Sequence, residues 1–230
     1  MSAPITLLGG AALGMAVGSL LLPLTRRELA ASVARSHTDN APVAPAEHAP
    51  PRLTWGHGVA LAAASGLLPA YVLHRVGWSI IALPPLLLLV GLVQLAYCDL
   101  TRRLLPKTLV YALSAAVIVS GVVIAGVMHE WQRLIVATLG GLALFALFFV
   151  INLVNPRWMA FGDVRLSLVV GFGLAWVSPI ALLEGFFLAN LLAAVVGFGL
   201  IAAHRAERGS AVPFGLYLAL GAALVLVTWS

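Results

Sequence analysis

Cysteine is all but missing from this chain. Cys98 is the one cysteine in 230 residues, so the chain can form no intrachain disulfide and no cysteine cluster for a metal. No histidine lies near it in sequence, so it reads as small apolar filler and not as a nucleophile. Charge is also scarce. Charged residues make up 9% of the chain, against roughly 25% in soluble domains. Strict polar–apolar alternation is absent, which argues against an outer-membrane barrel. There is no positive charge ahead of the first apolar run, and GMAVGS is followed by more leucine, not by a clear cleavage site. Residues 4–24 are therefore expected to be a retained helix and not a signal peptide.

Apolar sequence fills the remainder. Hydrophobic residues are 62% of the chain and the mean hydropathy is +1.06. A soluble core could not hide that much apolar surface, but lipid can cover it. Backbone facing lipid must satisfy its own hydrogen bonds, so the expected fold class is all-α, a polytopic integral membrane bundle. About 20 apolar residues span the hydrocarbon. The breaks in the sequence give about eight spans, at roughly 4–24, 55–74, 79–98, 108–128, 133–154, 164–181, 184–203 and 212–229. The break after the sixth falls near Ser178, Pro179 and Glu184.

The basic residues orient the bundle. With the N-terminus outside, the cytoplasmic loops hold Arg26, Arg27, Arg35, Arg52, Arg102, Arg103, Lys107, Arg157, Arg165, Arg205 and Arg208. Only Arg75 and Arg133 of the 13 basic residues fall on the other side. That topology is a multi-pass membrane protein. Trp55, Trp78, Trp131, Trp158, Trp176 and Trp229 fall at expected span ends, where amphipathic rings settle. The net charge of +5 is scattered over four loops. It reads as topology and contact with anionic membrane lipid, with no nucleic-acid partner.

Residues 28–54 are rich in Ala, Pro and His, lack apolar periodicity and read as a flexible cytoplasmic loop of a single domain over 1–230. His37 and His48 stand eleven residues apart there. Neither they nor His57 sit at a recognisable metal-ligand spacing, so no metal site is expected.

The chain has only 8 acidic residues, and two of them adjoin long apolar runs. Asp99 closes the run before DLTRRLLP, and Asp163 opens the run after MAFG. A carboxylate beside hydrocarbon is expensive and marks function by default. In the topology above both lie on the cytoplasmic side. If the helices pack together, the two cannot comfortably both ionise and share one proton. The ionised member then deprotonates water while the protonated member donates to a carbonyl oxygen, which is aspartic-protease chemistry. The ordinary alternative is two interfacial charges. Asp99 would pair with Arg102 or Arg103, and Asp163 would sit at a helix N-terminus. Gly162 lets another backbone or a substrate approach Asp163. Gly171 and Gly173 read as helix-packing positions. Pro106 and Pro213 suit the starts of the helices that follow them.

Four motifs in order resemble the bacterial prepilin peptidase family, the type IV leader peptidases of GxGD type. DLTRRLLP, residues 99–106, is similar to the family's first aspartate motif. AFGDVRL, residues 160–166, is similar to its GxGD motif. VPFGLYLALGAAL, 212–224, resembles a C-terminal IPFGPFLALG stretch, and GMAVGSLL, 14–21, resembles a first-helix GxxxGSF. Ala160 stands where the family has the first glycine, and Arg165 where it has lysine. The resemblance implies that Asp99 and Asp163 are the catalytic pair. It implies hydrolysis of the leader from a type IV prepilin or pseudopilin, whose basic leader stays in the cytosol while its apolar helix lies in the bilayer. Many members carry a larger loop with two zinc-binding CxxC pairs; residues 28–54 have no cysteine. Bifunctional members also methylate the new N-terminus with S-adenosylmethionine. No cofactor motif is visible in this sequence, and the cofactor expectation is none.

Two other classes fit a polytopic bundle. A transporter would place polar or broken helices at the bilayer centre, where Asn190 is the clearest mid-span polar residue here. A non-catalytic pilus or secretion assembly protein of the same fold would have no need of both aspartates.

Overall fold

The computed structural model describes Ala12 and residues 55–76, 79–102, 107–155, 161–202 and 214–228. The expected first span apart from Ala12, the 14–21 motif, the 28–54 loop with His37 and His48, and Ala160 all lie outside the described residues. Long apolar runs with internally satisfied backbones give seven α-helices and one 3-10 turn, with no strand among the described residues. In chain order these are α1 (Trp55–Val76), the 3-10 turn Ile80–Ala82, α2 (Leu83–Arg102), α3 (Lys107–Met128), α4 (Trp131–Val154), α5 (Phe161–Val177), α6 (Pro179–Ala202) and α7 (Phe214–Thr228).

Three of the stretches are long and apolar enough to cross a membrane: Thr108–Met128, Trp131–Val154 and Pro179–Gly199. Ile80–Ala96 and Phe214–Thr228 are shorter apolar segments. Exposed faces such as Val119, Val123 and Val127 on α3, Leu139 and Val150 on α4, and Leu183, Phe187 and Phe198 on α6 suit contact with lipid tails.

The boundaries have local causes. Ser79 Oγ accepts from the Ile81 amide at 3.3 Å and starts the 3-10 turn. His129, at φ 58°, turns the chain sharply between α3 and α4. Between α5 and α6 the break is Ser178 alone. Its Oγ accepts from the Ile180 amide at 3.1 Å, and Pro179 takes the first helical position, where no amide is needed. Glu184, expected to mark the start of a span, instead lies exposed inside α6. Glutamate is a good helix former, and an exposed one stays in contact with water or the helix surface without breaking the helix. Asp163 likewise falls in the first turn of α5 and not before it. Asp99 falls inside the last turn of α2, which runs on to Arg102.

Helix α5 is the centre of the bundle. Twelve of its 17 residues are buried, and it packs against α2, α3, α4, α6 and α7. Small residues permit the closest crossing. A Cβ added at Gly171 would lie 2.8 Å from the Gly140 carbonyl oxygen and 3.0 Å from the Gly141 Cα, so α4 and α5 touch backbone to backbone. At α6 and α7 a Cβ on Gly221 would lie 2.6 Å from the Gly185 carbonyl oxygen. Phe148 of α4 fills the space between these pairs, edge-on to Phe214 with ring centroids 5.4 Å apart. Trp176, expected at a membrane interface, is 1% exposed. Its Nε1 donates to the Ile81 carbonyl at 2.9 Å, which ties the end of α5 to the 3-10 turn.

Candidate active site

The placement of α5 decides the environment of Asp163. This residue sits in the first turn, 5% exposed, among buried Val164, Leu166 and Ser167. A carboxylate taken out of water needs compensation. The helix N-terminus supplies part of it, because free amides and the helix dipole favour negative charge there. Asp163 also has an interaction partner of its own. Ser167, one turn on, donates to the Val164 carbonyl at 2.8 Å.

The other aspartate is placed through the packing of α2 on α5. Leu88 of α2 lies in contact range of Gly173 of α5, and Ile81 just before α2 accepts from Trp176. Positions that rise along α2 therefore meet positions that fall along α5, and the two helices run antiparallel. Asp99 lies eleven residues beyond Leu88, and Asp163 lies ten residues before Gly173. At about 1.5 Å of rise per residue, those steps bring both backbones to nearly the same level at the same end of the bundle. The structure thus brings the two predicted residues to one end through their backbones. The Asp99 and Cys98 side chains fall outside the described positions.

Arg165 belongs to the same end; the sequence marked it as a basic residue of the cytoplasmic side that stands in place of a lysine. Its guanidinium carbon lies 4.6 Å from the Phe161 ring centroid and 5.4 Å from that of Tyr111, which projects from the second turn of α3. Phe161 at four residues' spacing was a readable signal for half of this stack. Tyr111, far away in sequence, gave none.

Sequence reasoning also missed Gln94. It and Ser65 are both fully buried, and Gln94 Nε2 donates to Ser65 Oγ at 3.1 Å, joining α1 to α2. Among the described residues, Gln94 Oε1 is a buried acceptor without a hydrogen-bond partner. The glutamine amid LLLLVGLVQLAY was the available signal. Asn190, the expected mid-span polar residue, is exposed instead and donates back to the Phe186 carbonyl at 2.7 Å.

The opposite end has a different chemistry. A cavity of about 390 Å³ there is lined mainly by apolar groups, among them Val72, Ile81, Pro85, Leu89 and Trp176, with Arg133 beside them. Arg133 Nε pairs with Glu130 at 3.3 Å. Arg75 also falls near this end, at the close of α1. The two basic residues that the charge count separated from the rest thus lie away from Asp163. Among the described residues no three His, Cys, Asp or Glu side chains are grouped to hold a metal ion.

Comparison with known proteins adds an independent line. Residues 86–198, which include both aspartates, match the type IV leader peptidase family. The "Prepilin leader peptidase/N-methyltransferase" of Stutzerimonas stutzeri is 32% identical over 171 residues, covering 72% of this chain and 56% of that protein. Its namesake in Aeromonas salmonicida (strain A449) is 32% identical over 153 residues, covering 66% and 50%. That of Pseudomonas aeruginosa is 30% identical over 167 residues, covering 71% and 56%. The chain spans about half the length of the curated relatives it matches. No solved structure matches it.

Proposed function

The chain belongs to the type IV leader peptidase family through residues 86–198, and from that premise we propose that it is a membrane-embedded aspartic endopeptidase acting on prepilin-like proteins. One observation carries the reading. Asp163 is buried in the first turn of the central helix, level with Asp99 on the antiparallel neighbour. Two carboxylates held at one end of a low-dielectric bundle share a proton, since a second charge there is strongly disfavoured.

The reaction follows from that sharing. The ionised carboxylate takes a proton from a water molecule as the water oxygen bonds to the scissile carbonyl carbon. The protonated carboxylate donates to the carbonyl oxygen, giving a neutral tetrahedral diol. In the second step the leaving nitrogen receives a proton from the dyad and the carbon–nitrogen bond breaks. A hydroxyl of the diol returns a proton to the dyad as the new carboxyl group forms. The leader departs with that carboxyl group and the pilin keeps a free amine, with the shared proton restored.

The membrane supplies the rest of the proposal. In this reading the chain is one transmembrane peptidase domain of about eight spans in the inner membrane, with the dyad on the cytoplasmic side. The apolar helix of the substrate lies against the bundle in lipid, and its basic leader stays in water. An unwound peptide needs such a boundary, because its backbone groups cannot face hydrocarbon unpaired. Methyl transfer, the second activity in the relatives' names, has no motif in this sequence and is not part of the proposal.

Cleavage of a prepilin-like substrate by membranes carrying Asp99→Asn or Asp163→Asn tests the assignment. Each substitution keeps the side-chain shape but removes the base, so each should abolish cleavage while the protein still inserts. Substantial cleavage by either variant sinks the dyad. Treatment with EDTA should leave the unaltered enzyme active, since carboxylates activate water without a Lewis acid. Activity lost to EDTA and restored by stoichiometric zinc would overturn that expectation.

A further inference from the structure

We infer that Arg165, held between the rings of Phe161 and Tyr111, is a positioning residue that fixes the spacing of the two catalytic carboxylates. The inference rests on the dyad reading above and deepens it.

Asp163 and Arg165 are two residues apart on α5, so they project to nearly opposite sides of the helix. Arg165 therefore does not reach the reacting atoms through the face that carries Asp163. It is half-buried, and its guanidinium lies 4.6 Å from the Phe161 centroid and 5.4 Å from the Tyr111 centroid. Among the described residues it has no ion pair. Its fixed contacts are ring faces, and a planar delocalised cation suits two of them in a way an ammonium does not.

What the stack joins matters more than its own strength. Phe161 and Arg165 belong to the first two turns of α5, around Asp163. Tyr111 belongs to α3, and α3 follows α2 after only four residues, 103–106. Leu113 of α3 lies in contact range of Gly91 of α2, so α2 and α3 form one close-packed hairpin with Asp99 near its corner. The stack thus fastens the corner bearing Asp99 to the turn bearing Asp163. At the far end the same helices are joined separately, where a Cβ on Gly121 would meet Phe172 at 2.9 Å. Loss of the stack should let the near end open while the far end stays closed.

Such an opening has a particular chemical signature. The closer two carboxylates lie, the further apart their two macroscopic titrations are driven. The singly protonated pair is the active form, so that separation sets the width of the pH–rate bell. A wider gap between the carboxylates narrows the bell from both sides and misplaces the water.

The test uses the full-length protein in membranes, with cleavage of a prepilin-like peptide followed across pH. Arg165→Lys and Tyr111→Leu should each lower kcat by about tenfold, given that misplacement of catalytic groups by about 1 Å can cost 10²-fold. KM should change little and the bell should narrow. Tyr111→Phe keeps the ring and should restore both kcat and the width of the bell. The double variant Arg165→Lys/Tyr111→Leu should be no worse than the poorer single variant, because both remove one contact. Rates are taken per inserted protein, so lost expression does not count as lost activity. Unchanged kcat and pH width in both single variants would overturn the inference. So would a loss in Tyr111→Phe equal to that in Tyr111→Leu, or additive losses in the double variant. If those results accompany inactive Asp99→Asn and Asp163→Asn, the positioning role falls alone. If the asparagine variants cleave, the dyad and the positioning role fall together.

Discussion

Helices α5 and α6 meet at Ser178, and both are apolar nearly throughout, yet one is the core of the bundle and the other its wall. Helix α5 is buried around its whole circumference from Val169 to Trp176, and before that Val164, Leu166 and Ser167 are buried while Phe161 and Arg165 are not. Helix α6 buries a narrow stripe of Ala181, Gly185 and Ala189 against its neighbours and leaves Leu183, Phe187, Val195 and Phe198 bare. Hydropathy does not mark the buried one, since the exposed helix is the more apolar of the two. Nor does glycine, since both helices carry several. What separates them is the partner each small residue meets. Gly171 of α5 touches the backbone of α4, whereas a Cβ on Gly197 or Gly199 of α6 would meet nothing within 4 Å. The same holds for charge. Asp163 is shut inside the protein while Glu184 is exposed. Depth in a membrane can be read from a run of residues; the face that turns inward depends on contacts made across the whole chain.

The contrast would break most visibly at the two carboxylates. Asp163→Asn should cut cleavage by about 10² to 10⁴-fold, the range for loss of a general acid–base group. Glu184→Gln on the wall should leave the rate unchanged. Equal losses in the two variants, measured on the same prepilin-like peptide, would erase the distinction.

A smaller effect separates the glycines. Gly171→Ala forces a methyl group to within 2.8 Å of a carbonyl oxygen, so the backbones of α4 and α5 must part. The cost should be about 1–3 kcal/mol, as for overpacked cores. Gly197→Ala has open space around it and should be neutral or slightly stabilising, through helix propensity of up to about 1 kcal/mol. Thermal unfolding in detergent gives both values, and a Gly171→Ala protein as stable as its parent would place α5 in a looser setting.

The smallest difference concerns aromatic residues. Trp176→Phe removes the donor to the Ile81 carbonyl and should cost about 1 kcal/mol. Phe187→Leu on the exposed face of α6 should stay within about 0.5 kcal/mol of the parent. The same unfolding measurement decides whether the wall tolerates change where the core does not.

Particular residues show what the sequence could carry. The Ser178–Pro179 pair was legible as a helix boundary, because a capping hydroxyl before proline has a local cause. The same break was drawn too late, with the next span starting at Glu184, because polarity alone says nothing about whether a helix stops. Asp99 and Asp163 stood out through their cost beside hydrocarbon. Asn190 also stood out, but it lies on an exposed face, whereas the buried amide is that of Gln94. The burial of Trp176 and the pairing of Arg165 with Tyr111 depend on helices that meet only after folding. No local pattern announces such meetings.

Helix α5 has 17 residues against 24 in α4 and α6, so it is about 25 Å long where they reach about 36 Å. A typical hydrocarbon layer is about 30 Å thick. A span facing lipid must answer that mismatch by tilting or by deforming the bilayer, but a helix sheathed by protein from Val169 to Trp176 has little lipid to answer to. The longer outer helices absorb variations in thickness, and the height of Asp163 is referenced to protein and not to the bilayer. The substrate's own helix, which does face lipid, becomes the element that feels the membrane. Cleavage in vesicles of graded acyl-chain length should therefore vary through KM for the embedded substrate while kcat holds steady; a kcat that tracks chain length would show that the sheath transmits thickness to the site.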